Sequence, residues 1–210
     1  NMIVKNESKV IGRCLESLKG VIDYWVIVDT GSTDGTQSII KELMRDIPGE
    51  LHERPWVDFG HNRSEALRLT KGKGQYVLFM DADETLDFSH SNQKLPTEKD
   101  FYYINVCGTT PDFLVYNRFF LINHEFDWDW KDVIHEYLVI PKEVRSGEIL
   151  THVKCITDSD GFRSEDPKKY YRDAQVLETA LKNEPENSRY VFYLAQSYAN
   201  AGERDLAIQF

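Results

Sequence analysis

The chain has 210 residues, a formal net charge of −10, and 41% hydrophobic and 12% aromatic residues. This is the composition of a folded globular protein with one good core and room for a small appendage, not of a disordered chain. The acidic excess argues against a nucleic-acid partner, and no apolar run approaches the roughly 20 residues of a membrane span.

The three cysteines, Cys14, Cys107 and Cys155, are widely separated and show no paired spacing. They read as reduced thiols of an intracellular protein, and with no signal-peptide pattern a cytoplasmic location is expected. "NMIVKNES" opens inside a strand-like run and "DLAIQF" closes inside a helix-like one, so the chain reads as a fragment.

Over the first 80 residues strand and helix signals alternate. "MIVK" is a β-branched run, and Ser8 is placed to cap a helix whose Val10, Ile11, Cys14, Leu15 and Leu18 share one face before Gly20 ends it. "YWVIV" is a second strand. In the following "DTGSTDGT", Ser32, Thr33 or Asp34 can cap a helix carrying Ile39, Ile40, Leu43 and Met44. "GELHERP" is a short third strand, Asn62 to Lys71 a third helix, and Gln75 to Met80 a fourth strand. Strands joined through helices run parallel, and their C-terminal ends open on one edge, where α/β proteins bind ligands.

Asp29 and Asp81 each follow such a strand, so both are expected in that crevice with the "KNES" segment. In extended chain, Asp81 and Asp83 share a face while Ala82 points to the core. Two carboxylates at one point repel unless a cation lies between them, and hard oxygen ligands favour Mg²⁺ or Mn²⁺ with diphosphate oxygens completing the shell. The other reading is a solvated acidic turn. "FMDADET" also fits the strand-then-DxDx[TV] signature of haloacid-dehalogenase-type phosphatases, with Asp81 as nucleophile, although there the motif ends the first strand. Arg63, at the start of the third helix, either offers a fixed fork to phosphate or faces solvent. Lys71 and Lys73 read as solvated loop charges.

Beyond residue 100, "FYYINV", "DFLVYNRFFLI", "EYLVI" and "EILTHVKCI" are strand-like without intervening helices, which predicts antiparallel strands and loops. Trp128 and Trp130 form an aromatic platform for a ligand ring or pack beneath a loop. From Asp166 the chain is helical, with Tyr170, Tyr171, Ala174, Leu177 and Leu181 in one stripe. Leu194, Ala195, Tyr198, Gly202 and Ala207 match the small-and-large pattern of a tetratricopeptide unit that stops before its second helix is complete.

"MIVKNES", "VIVDTGSTDGT", "DFGHNRSEALRLTKGKGQYVLFMDADE" and "VIHEYL", in this order, resemble the family 2 glycosyltransferases of GT-A fold. The resemblance implies a Rossmann-like, mostly parallel sheet flanked by helices, here residues 1–160, followed by a tetratricopeptide-like segment at 166–210. It implies inverting transfer of a sugar from a nucleotide-diphosphate donor, commonly a UDP-sugar, with a divalent metal, Mn²⁺ or Mg²⁺. By that resemblance Asn6, Glu7 and Asp29 surround the nucleoside, Asp81 meets the ribose, and Asp83 and His152 hold the metal. Glu84 adds negative potential or bonds sugar hydroxyls. Glu136, after His135 in a "VHE"-like pattern, is the candidate base, with His135 as the alternative. Thr30 and Ser64 stand where many members have an acidic residue and Asn. A GT-A domain leading into such helices is similar to the sublancin S-glycosyltransferase group, which implies a peptide or protein acceptor, with glycan acceptors also open. A catalytically silent sugar-nucleotide-binding module is a further alternative. His52, His61, His90 and His124 are given no role.

Overall fold

A computed structural model describes residues 1–88, 94–110 and 112–210; His90 lies outside them. The chain begins β1 (Met2–Val4), α1 (Ile11–Leu18), β2 (Trp25–Asp29), α2 (Thr36–Leu43), β3 (Gly49–Glu53), α3 (Phe59–Leu69) and β4 (Tyr76–Leu78). It continues through β5 (Glu84–Asp87), β6 (Phe101–Gly108), β7 (Tyr116–Asn123), β8 (Asp129–Lys131), β9 (Tyr137–Val139) and β10 (Gly147–Thr157). A 3-10 turn (Phe162–Glu165) then leads to α4 (Lys169–Asn183), α5 (Ser188–Asn200) and α6 (Arg204–Ala207). No described helix is long and apolar enough to cross a membrane.

β1, β2 and β3 pair in parallel, as the helical connections require. The Asn1 nitrogen donates to the Leu78 carbonyl at 2.7 Å, and the Met80 N–H to the Asn1 carbonyl at 3.3 Å, so the parallel pattern reaches β4. Beyond that point the sheet is mixed. β4 pairs antiparallel with β7, and β7 with β6, as expected for the second half. β10, however, runs parallel to β6, because the chain leaves β7, passes through β8 and β9 and returns to the start of β6 on its free side. The antiparallel partner of β10 is β5, a strand the sequence reading missed.

One core joins α1 and α2 to the sheet through Ile11, Cys14, Leu15, Ile40, Met44, Tyr102, Ile104 and Phe120. Full burial of each large apolar side chain contributes roughly 1.5–3 kcal/mol. Cys14 and Cys155 are buried and all three cysteines are free. Across the sheet, Leu67 of α3 packs on Val77, Phe79, Ile122, Trp128 and Leu138. A third cluster joins Leu177, Tyr190, Leu194 and Tyr198 of the helical hairpin to Ile134 and Phe59, so α4 and α5 lie against the segment that leads to Glu136. Of the expected stripe on α4, Ala174 and Leu177 are buried, whereas Tyr170 and Tyr171 are largely exposed.

α3 begins three residues before the expected Asn62, because Asp58 caps it by accepting from the His61 N–H at 2.7 Å. The next free N–H groups are taken from outside the helix: Phe59 donates to the Val133 carbonyl (3.1 Å) and Gly60 to the Asp132 carbonyl (3.2 Å). A methyl group at Gly60 would lie 2.6 Å from the Asp132 carbonyl oxygen, whereas one at Gly12 in α1 would meet only Leu43 at 3.7 Å. Gly60→Ala is therefore expected to cost about 1–3 kcal/mol by overpacking. Gly12→Ala should be stabilising by up to about 1 kcal/mol through helix propensity. Urea unfolding of the two variants beside the parent protein checks the opposite signs.

Candidate active site

The ends of β1 and β2 are laced together by their loops. Asn6 adopts a left-handed backbone (φ 56°), its Oδ1 accepts from the Thr33 N–H at 2.8 Å, and its own N–H donates to Ser32 Oγ at 2.8 Å. The Glu7 N–H donates to Thr36 Oγ1, and the Ser8 N–H to Asp34. α1 itself starts after Val10 without a side-chain cap, so the cap expected from Ser8 is not formed. α2 is entered through Asp34, whose Oδ1 accepts from the Thr36 N–H at 3.1 Å. Asp29 is fully buried, and its Oδ1 accepts from the N–H groups of Gly31 (2.8 Å) and Ser32 (2.7 Å), which holds a turn with Gly31 at φ 108°. Its Oδ2 has no hydrogen-bond partner among the described residues. Thr30, one residue on and pointing the other way along the strand, is the side chain on the cavity wall. Asn6 and Asp29, expected at a nucleoside, thus serve the loops, and neither lines the cavities described below.

The opening carboxylates of "DADE" are not aimed together along extended chain. Ala82 and Asp83 form a turn closed by the Glu84 N–H donating to the Asp81 carbonyl (3.2 Å), while Glu84 Oε2 accepts from the Asp81 N–H (2.8 Å). Glu84 is buried and forked by Arg118, at 2.7 Å from Nη1 and 2.6 Å from Nη2, so it is a structural partner and has no oxygen turned to a sugar. Asp81 Oδ2 accepts from the same Arg118 (3.0 Å) and Oδ1 from Arg63 Nη2 (2.7 Å). Burial works against its charge, yet the two guanidiniums outweigh that and hold the Asp81 carboxyl down at about 2. A phosphatase nucleophile needs a free carboxylate oxygen, and Asp81 has both engaged.

Arg63 is half-buried, not solvent-facing. Its Nε donates to Glu136 Oε1 at 2.6 Å, and the guanidinium lies 5.4 Å from the centre of the Trp130 ring. Trp130 is edge-on to Phe79 and backs this arginine; Trp128 is core, its indole N–H donating to the Asn123 carbonyl. Neither indole is a free sugar platform. Ser64 is structural too, exchanging hydrogen bonds with the Trp130 backbone at 2.9 and 3.1 Å.

Asp83 has no ion pair to a lysine or arginine side chain among the described residues. It lies beside Gly161, which also approaches Glu7, and Glu7 Oε2 accepts from the Phe162 N–H at 3.0 Å. Burial and then Asp81 push the Asp83 carboxyl upward. Burial, with Asp83, Asp34 and Asp81 nearby, pushes Glu7 up to about 7. His135 has a left-handed backbone (φ 55°) and a ring stacked on Tyr193 of α5 at 4.0 Å, and burial lowers its pKa. His152 does not join the group. It lines neither cavity described below: on β10 it falls in the irregular stretch between Leu150 and Lys154, and β10 pairs with β5 only from Lys154, opposite Asp87, to Thr157, opposite Glu84.

A cavity of about 310 Å³ is lined by Arg63, Asp81, Asp83, His135 and Glu136, and it adjoins one of about 670 Å³ lined by Lys5, Thr30, Trp56, Val57 and Phe162. Among the described residues no three His, Cys, Asp or Glu side chains gather as a closed metal site. Asp83 nevertheless fits a hard cation of the kind that takes one or two carboxylates and completes its shell with substrate phosphates. Asp83 and Glu7, neighbouring acids with no ion pair to a lysine or arginine side chain among the described residues, are the chemistry such an ion relieves. Arg118, Thr30 and Lys169, which also lines both cavities, are the wall and support residues that sequence reading missed. An arginine flanked by aromatic residues in "YNRFFLI" was the one available signal.

Residues 2–148 match the family model described as glycosyl transferase family 2, and the chain belongs to that family. It is 25% identical over 207 residues to the SPbeta prophage-derived glycosyltransferase SunS of Bacillus subtilis, covering 93% of this chain and 47% of that protein. It is 30% identical over 126 residues to an uncharacterized glycosyltransferase of Rickettsia felis, covering 60% of this chain and 40% of that protein. The chain thus spans less than half the length of these curated relatives. Among solved structures, S. aureus TarS 1–349 superposes with a TM-score of 0.53 at 16% identity, over 95% of this chain and 69% of that one. That likeness gives a GT-A-like fold.

The buried charge network makes a direct prediction. Arg118→Met strands Glu84 without a counter-charge and is expected to cost about 3–5 kcal/mol. Adding Glu84→Leu should recover part of the loss, because it removes the stranded Glu84 charge while Asp81 keeps its pairing with Arg63. Denaturant unfolding of the parent protein, both single variants and the double variant checks the non-additivity.

Proposed function

We propose that the chain is the catalytic part of a metal-dependent, inverting glycosyltransferase of the hexosyltransferase type. In this reading it moves a sugar from a UDP-sugar to a peptide or protein side chain, or to a glycan. The observation that carries it is the pair of adjoining cavities at the strand ends. One is walled by Trp56, Val57, Phe162 and Thr30 and suits a nucleoside; the other is walled by Asp83 and Glu136 and suits a sugar with its leaving diphosphate. A solved structure of TarS 1–349 in complex with UDP-GlcNAc, alike in fold with a TM-score of 0.54, supports the donor class.

Bound at Asp83, Mn²⁺ or Mg²⁺ would supply Lewis-acid stabilisation of the departing diphosphate. The other roles belong to the chain. Arg63 fixes Asp81 and Glu136 relative to each other and excludes water behind them. Because Glu136 Oε1 is taken by Arg63, Oε2 is the oxygen that accepts the acceptor's proton, with His135 the alternative base. Glu7 closes the junction of the cavities through Phe162.

Residues 1–160 form the GT-A unit in this reading, and residues 166–210 a tetratricopeptide-like unit that presents the acceptor. A 36% identity over 86 residues to a TPR repeat-containing protein of Synechococcus elongatus is in keeping with such a pairing of units, although a match of that length extends beyond the helical segment.

Incubation with a panel of sugar nucleotides and Mn²⁺ is expected to release UDP from at least one of them; turnover of simple phosphate esters instead would overturn the reading. In calorimetry UDP should bind in Mn²⁺ and weaken sharply in EDTA, and Asp83→Ala should abolish that difference. Glu136→Gln keeps size and hydrogen bonding but loses proton affinity, so transfer should fall roughly 10²- to 10⁴-fold with UDP binding nearly unchanged. If His135→Gln loses transfer and Glu136→Gln keeps it, the base is His135.

A further inference from the structure

We propose that Lys169, the first residue of α4, binds the donor diphosphate, so that the helical hairpin completes the donor site. The inference rests on the nucleotide-sugar reading and adds to it a residue from outside the α/β part.

The two cavities share Ile3, Glu7, Phe59, Ile134, Arg163 and Lys169. A nucleoside in one and a sugar in the other are joined by a diphosphate, which must cross that shared boundary with its negative charges. Ile3, Phe59 and Ile134 are apolar and Glu7 is an acid, so only Arg163 and Lys169 can attract phosphate there. Arg163 is already engaged, its guanidinium paired with Asp173 and lying 4.9 Å from the centre of the Phe59 ring. Lys169 is half-buried, and its ammonium has no carboxylate within ion-pair distance among the described residues; its one side-chain neighbour of note is the Tyr170 ring at 4.9 Å.

An ammonium on a four-carbon stem is a mobile point charge that can follow a phosphate as the ligand settles. Its placement counts for more because the chain carries a net charge of −10 and the adjoining cavity holds Asp81, Asp83 and Glu136. The position of Lys169 is set by hydrophobic packing. Leu177 and Ala174, on the same helix, are fully buried against the cluster that includes Ile134 and Phe59.

Calorimetry on the whole chain in Mn²⁺, with uridine and UDP as separate ligands, tests this. Lys169→Ala is expected to weaken UDP by about 10- to 100-fold, the range of a lost charge-assisted hydrogen bond. Uridine affinity should be unchanged; Lys169→Arg should retain most UDP affinity, and Lys169→Glu should lose more than the alanine variant. If Lys169→Ala leaves the UDP-to-uridine affinity ratio at the parent value, whether both ligands weaken or neither does, the lysine does not meet the diphosphate and the proposal falls while the nucleotide-sugar reading stands. If the parent protein binds neither UDP nor the diphosphates of other nucleosides, that reading falls and the proposal with it. Should the alanine variant not fold, Lys169→Gln takes its place in the same comparison.

Discussion

Arg63 is the hinge of the molecule's chemistry. It rises from the first turns of α3, spans the space between Asp81 at the end of the β4 strand and Glu136 before β9, and rests on Trp130. Arg118 of β7 repeats the motif one layer deeper by joining Asp81 to Glu84. Two guanidiniums and three carboxylates therefore tie α3, β4, β5, β7 and the segment before β9 to one centre. Removing such charges from water costs several kcal/mol per ion, and only near-complete pairing offsets it. The pairing here is close to complete, and it defines which carboxylates remain available to a ligand: Asp83 and one oxygen of Glu136.

How much of this was legible in the sequence depends on the range of the interaction concerned. The βα units of the first half were readable because apolar spacing and turn residues act locally, and β1, β2, β3 and their helices lie where the pattern put them. Asp81 and Arg63, which the structure joins to Glu136, were legible because strand ends and helix starts are local features too, whereas Glu136 rested on the likeness of "VIHEYL" to the family's pattern. The error over "DADE" was of a different kind. Reading it as extended chain ignored that Glu84 returns its carboxylate to the Asp81 N–H, a bond that turns the backbone and sends Asp81 and Asp83 to separate tasks.

Asp29 and His152 stand off the cavity walls for different reasons. A carboxylate at a strand end either meets a ligand or caps the next turn. The Gly31 and Ser32 N–H groups took Asp29 for the turn. The expectation for His152 rests on likeness to relatives, and the irregularity of β10 between Leu150 and Lys154 puts it outside the stretch that pairs with β5 beside Glu84. Arg118 and Lys169 could not be placed at all without the fold, since the partners of the first and the cavities lined by the second come from elements far away in sequence.

The hairpin of helices has one further consequence. The His135 ring lies flat on Tyr193, its carbonyl accepts from Arg189 at 3.0 Å, and Arg189 also pairs with Asp132. His135 precedes Glu136, so one face of α5 sets the backbone from which that carboxylate projects. Domain shuffling must respect this. A chimaera that grafts foreign helical repeats onto the α/β part has to import Arg189 and Tyr193 at their present positions, or the graft will detune the carboxylate even where every loop of the sheet is untouched.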